Sequence, residues 1–129
     1  VHVWIINRKG EILLTKRHPN KPHPNLWECP GGSILKGENS LDGAVREVKE
    51  EIGITLVKSN GKVIKSVRRD KFNDFYDVWL FNQGFEITET VLQKDEVIDI
   101  KWVTKTELDC MYNSNSIVPT LNYFKDIFQ

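Results

Sequence analysis

Three carboxylates crowd one short stretch of this chain. In Arg46-Glu47-Val48-Lys49-Glu50-Glu51-Ile52-Gly53, the glutamates at 47, 50 and 51 are spaced i, i+3 and i+4. On a helix that spacing sets them side by side, where like charges repel. Arg46, four residues before Glu50, and Lys49 neutralise part of the cluster, and taken alone such a helix reads as a solvated acidic face. Its surroundings point to chemistry instead. Upstream, Pro30-Gly31-Gly32 permits a tight turn whose backbone groups can face the N-terminal region of the helix. A turn carbonyl with several carboxylates is an oxygen-only donor set, which hard divalent cations prefer. Mg²⁺ in particular binds few carboxylates, keeps waters and accepts substrate phosphates. Gly43 lies one turn before Glu47 on the acidic side and leaves room for something bulky to approach.

The same residues resemble a known family. Gly32, five residues, Glu38, seven residues, then Arg46-Glu47-Val48-Lys49-Glu50-Glu51-Ile52-Gly53-Ile54 is similar to the Nudix box, G-x5-E-x7-R-E-U-x-E-E-x-G-U, at every fixed position. The resemblance implies an α/β fold, the Nudix-type α/β/α sandwich with a mixed sheet. It also implies hydrolysis of a nucleoside diphosphate linked to another moiety, with Mg²⁺ or Mn²⁺ as cofactor. Carried over by the motif, Glu50 and Glu51 are metal ligands, and Glu47 is a third ligand or the base that activates water. Glu50 is a catalytic candidate as well. The Gly31 carbonyl completes the site, Arg46 orients a glutamate, and Glu38 braces the loop. Glu96 is the candidate for an extra ligand or base outside the box, with Asp95 and Glu89 behind it. Trp27, Gly32 and Arg17 are the candidates for substrate contact, Trp27 as a stacking platform.

Several elements must position these groups. Val1 to Ile6 and Glu11 to Arg17 read as strands joined by the hairpin signal Asn7-Arg8-Lys9-Gly10. Residues 18 to 25, with three prolines, read as a loop, and residues 26 to 32 as a short strand ending in the Pro-Gly-Gly turn. The spacing of Leu41, Ala44, Val45, Val48 and Ile52 predicts a helix over 40–52, with Ser40 as N-cap and Gly53 as its stop. Strands are expected at Val63 to Phe72 and Phe75 to Asn82, around a turn at Asn73-Asp74, and again at Val97 to Val103. Thr104 to Glu107 forms a capping box. Pro119 suits the first turn of a last helix that faces Leu121, Phe124, Ile127 and Phe128 inward.

The substrate is less legible. The stretch "LWECPGG" is similar to that before the box in MutT-type enzymes, which clean oxidised nucleotides. Two other readings stay open. The opening "VHVWIINRKGEILLTKR" resembles proteins akin to isopentenyl diphosphate isomerase, and a domain that binds nucleotides without turnover is the third class. The isomerase reading would need Cys29 as its reactive thiol, two residues from the matching position, whereas a buried inert thiol is the ordinary role.

Composition narrows the field without naming a substrate. The chain has 129 residues, 40% hydrophobic and 28% charged, with 18 basic and 18 acidic side chains. That balance predicts one domain over 1–129 and gives no bulk charge for nucleic acid or a membrane. The partner expected is therefore a small nucleotide-like diphosphate, with a homodimer left open. Cys29 and Cys110 match no zinc or redox spacing, and with no apolar run of membrane length the expected location is the cytoplasm. Starting without Met inside a strand, the chain is expected to lack a native N-terminal extension. The basic run Lys62, Lys65, Arg68, Arg69 and Lys71 reads as a solvated strand face.

Overall fold

The computed structural model describes residues 1–69 and 74–128. The described residues form six strands: β1 (His2–Ile6), β2 (Ile12–Arg17), β3 (Trp27–Glu28), β4 (Gly61–Arg69), β5 (Asp74–Asn82) and β6 (Val97–Val103). The helices are α1 (Ser40–Ile52), α2 (Lys105–Asn113) and α3 (Phe124–Ile127). The strand order is β3-β2-β1-β5-β4, with β6 also pairing β2. β1 and β5 run parallel, while the other pairs are antiparallel, so the sheet is mixed as expected.

Alternation along β1 explains the layering. Val3 and Ile5 face one side and Trp4 the other, all with no exposed surface. The first side packs on Ala44, Val48 and Ile52 of α1. The second packs on Leu108 of α2 and on Leu121, Phe124 and Phe128 near the C-terminus. The sheet thus lies between α1 and the two later helices, the expected sandwich.

The local chemistry refines three boundaries. Asn39, not Ser40, caps α1: its side-chain oxygen accepts from the Asp42 amide at 2.8 Å, and Ser40 instead accepts the Trp79 indole N–H at 2.7 Å. The expected last helix is split. Pro119–Leu121 forms one 3₁₀ turn and α3 follows separately, though Leu121, Phe124 and Phe128 are buried as expected. The expected strand near the Pro-Gly-Gly turn is only two residues, Trp27 and Glu28. Elsewhere Gly53 ends α1 with φ 75, a left-handed conformation that glycine adopts without strain, and the Thr104–Glu107 capping box is formed. Of the turn expected at Asn73-Asp74, Asn73 falls outside the described residues, as does the stretch from Asp70 to Phe72, and Asp74 opens β5.

Candidate metal and diphosphate site

Arg46 is the hub of the acidic helix face. Its Nε donates to both Glu38 oxygens at 3.1 and 3.0 Å, and Nη2 donates to Glu38 Oε1 and the Ser33 carbonyl, each at 2.8 Å. Nη1 donates to Glu47 Oε1 and Glu50 Oε2, each at 3.1 Å. One guanidinium therefore ties the loop over 33–38 to two carboxylates one turn apart, a task that suits its fixed fork of donors. Glu38 also accepts the Leu35 amide at 2.8 Å and so braces the loop. The space above Gly43 is filled by this bracing: a methyl there would lie 3.2 Å from Glu38 and 3.3 Å from Ile34. Gly43 makes room for the chain's own loop, not for an external group.

Glycine is needed at Gly32 for a similar reason. A methyl at that position would overlap the Glu47 carboxylate, which lies against the backbone there. Gly31 pairs with His2 in an isolated bridge, fixing the turn beside the end of β1. The loop glycines and α1 are thus packed carboxylate against backbone.

The three helix glutamates are not equivalent. Glu50 is half exposed, whereas the Glu47 side chain is only 15% exposed. Burial raises the Glu47 carboxyl above its usual range despite Arg46. Glu51 is pushed up to about 8, first by burial, then by the charges of Glu28 and Glu47. The charge of Lys21 and the Gly31 amide oppose that rise but do not offset it.

Glu51 lines a cleft of about 650 Å³ together with Arg17, Lys21, Glu28, Gly31 and Gly32. Arg17 donates to both oxygens of Glu28 at 2.9 and 2.8 Å, and its Nε holds the Pro22 carbonyl at 2.6 Å. Arg17 thereby fastens the Pro-rich loop to β3. Lys21, on that loop, pairs with Glu96. Burial raises the Glu28 carboxyl even with Arg17 beside it.

The structure therefore brings Arg17, Gly31, Gly32, Glu47 and Glu51 together and joins Glu47 and Glu50 through Arg46. Two expected residues stand apart. Glu96 meets the site through Lys21, and the Trp27 ring lies under Lys101 at 4.4 Å and Lys16 at 5.9 Å, outside the cleft lining. Glu28 is the residue sequence reasoning missed. Its signal was an acid just before the Pro-Gly-Gly turn, on a strand that pairs with the one carrying Arg17. Cys29 is 4% exposed and burial pushes its thiol well above the ordinary value. Both cysteines are free, and no described helix is long and apolar enough to cross a membrane.

Among the described residues, no three acidic, histidine or cysteine side chains already converge on one point. The donor chemistry nonetheless fits a hard cation. Glu51 and Glu28 are carboxylates whose burial and mutual repulsion disfavour their charged forms, and a divalent ion removes that penalty.

The NUDIX domain model matches residues 1–121. The Nudix hydrolase lin0387 of Listeria innocua is 40% identical over 121 residues, covering 92% of this chain and 70% of that protein. A Bacillus subtilis relative bearing the name "Putative 8-oxo-dGTP diphosphatase" is 34% identical over 106 residues, covering 82% of this chain and 66% of its own. The crystal structure of a MutT protein from Methanosarcina mazei superposes with a TM-score of 0.70 at 30% identity, covering 98% of this chain and 86% of that one. By its box, its sandwich and these likenesses, the chain belongs to the NUDIX family, as a hydrolase acting on phosphoric anhydride bonds.

Proposed function

We propose that this protein is a Mg²⁺- or Mn²⁺-dependent pyrophosphohydrolase of a nucleoside diphosphate linked to another moiety, with nucleoside triphosphates or their derivatives as the leading substrates. The observation that carries this reading is Glu51, a largely buried carboxyl raised to about 8 in a cleft flanked by Arg17 and Lys21. A group so placed is poorly suited to structure alone and well suited to a cation. Glu47, Glu50, Glu51 and the Gly31 carbonyl would hold the metal. When bound, it would neutralise diphosphate oxygens and lower the pKa of a coordinated water. Glu47 would take a proton from the attacking water, a role supported by the burial that holds its carboxyl above the usual range. Arg46 keeps Glu47 and Glu50 in register, and Gly32 lets Glu47 lie against the loop. Arg17 and Lys21 supply positive charge for phosphate oxygens at the cleft wall.

The relative named for 8-oxo-dGTP supports including oxidised nucleotides among the substrates. The isomerase reading loses support because Cys29 is buried with a raised thiol, the opposite of a reactive thiolate. The balanced charge and free thiols suit a cytoplasmic enzyme of small molecules. The test is phosphate and pyrophosphate release from normal and oxidised nucleoside triphosphates, ADP-ribose and dinucleoside polyphosphates, with and without Mg²⁺. Metal-dependent cleavage of one class is expected. Binding without cleavage across the panel would replace this reading with that of a sensor domain.

A further inference from the structure

The cleft has a second wall, away from the carboxylates, built from β1, β5 and the C-terminal turn. His2, Phe75, Tyr76 and Leu121 line it. His2 is stacked on Tyr76, ring centroids 4.5 Å apart, and its Nδ1 lies 2.5 Å from Tyr123 Oη. The Trp4 indole Nε1 lies 3.1 Å from the same oxygen.

One assignment gives every proton in this chain of three a partner. An indole N–H can only donate, so Tyr123 Oη accepts from Trp4. Tyr123 is 8% exposed, and among the described residues the partner left for its own proton is His2 Nδ1. A neutral ring that accepts at Nδ1 carries its proton at Nε2. Among the described residues no polar side-chain atom is both buried and without a hydrogen-bond partner, and Nε2 makes no hydrogen bond of its own. It is therefore open, on a residue that lines the cleft.

We propose that His2 is a specificity-determining residue: the Trp4–Tyr123–His2 relay fixes an Nε2–H donor that binds a carbonyl acceptor on the nucleobase of the substrate. This deepens the hydrolase reading and rests on it for the word substrate. A neutral donor suits an uncharged acceptor, leaving the phosphates to the cation and the basic residues. Phe75, 67% exposed at the same wall, offers an open aromatic face on which a planar ring can stack.

The test has two parts. Long-range ¹H–¹⁵N NMR of the imidazole is expected to show the neutral Nε2–H tautomer at pH 8 in the wild type, and a tautomer mixture in Tyr123→Phe. An Nδ1–H tautomer, or a cationic ring, overturns the proposal. Calorimetric titration then compares inosine 5′-monophosphate with purine riboside 5′-monophosphate, which lacks the carbonyl. The wild type is expected to prefer the inosine nucleotide by about tenfold. His2→Phe keeps an aromatic ring against Tyr76 and should erase that preference, and where turnover is measurable the loss should fall on KM more than kcat. Equal binding of both nucleotides by the wild type, or an unchanged preference in His2→Phe, also overturns it. Both readouts are independent of catalysis, so a failed hydrolase assay with an intact preference would refute the reaction alone.

Discussion

Glu51→Gln is expected to stabilise the metal-free protein while destroying its activity, and the size of the gain should depend on pH. The Glu51 carboxyl is raised from 4.5 to about 8, so the folded state holds its proton more tightly than the unfolded chain does. The associated stability is complete below pH 4.5, is lost as pH rises toward 8, and then stays lost. At about 1.36 kcal/mol per pH unit, the loss is about 3 kcal/mol at pH 7 and about 5 kcal/mol at pH 9. A neutral Gln escapes most of this but must still find partners for its amide, leaving a net gain of about 2–4 kcal/mol at pH 9 and almost none at pH 5. Urea unfolding in EDTA measures it. With a slope of about 1–3 kcal/mol per molar, the midpoint should move up by about 1–2 M at pH 9. Saturating Mg²⁺ should close most of that gap, because the wild type gains about 2.7 kcal/mol at a hundred times Kd and the variant gains little. A variant less stable than wild type in EDTA at pH 9, or a difference that ignores pH, would refute the electrostatic reasoning about this site.

Metal binding should itself be pH-dependent with the same sign. Near pH 7 the cation must displace about one proton, so affinity should rise about tenfold per unit between pH 6 and 7.5 and level off above 8. Calorimetry in buffers of different ionisation enthalpy reads the proton release directly. Gly32→Ala should push the Glu47 carboxylate off the loop, lowering activity by about 10–100-fold and stability by about 1–3 kcal/mol, checked by kinetics and urea melts. Arg46→Lys cannot span Glu38, Ser33, Glu47 and Glu50 at once, and should cost about 10–100-fold in metal affinity with the helical circular dichroism signal retained.

The box and its helix were legible because their signals are local. The stripe from Leu41 to Ile52 fixes the buried side of α1, and Gly53 needs only a left-handed φ to stop it. The family resemblance implied that Arg46 orients a glutamate, and the folded chain gives it Glu38, Glu47 and Glu50 as partners. What escaped depends on contacts across the sheet. Glu28 becomes notable only once pairing of β2 with β3 brings Arg17 against it and the fold sets it facing Glu51. The emptiness of Gly43 could be seen in the sequence, but its filling by Glu38 and Ile34 required the loop to fold back. Asn39 and Ser40 are both good caps, and the choice turned on Trp79, thirty-nine residues away, taking the Ser40 hydroxyl. The cations over Trp27 likewise come from β2 and β6, which no local pattern connects.

The most direct test of the account is Mn²⁺ titration of the metal-free protein followed by electron paramagnetic resonance, with wild type beside Glu51→Gln and Glu47→Gln. The account predicts saturable binding by the wild type, at least tenfold weaker binding in each variant, and loss of metal-dependent nucleotide hydrolysis in parallel. Wild-type Mn²⁺ affinity in both variants would contradict it and place the cation somewhere other than the acidic face of α1.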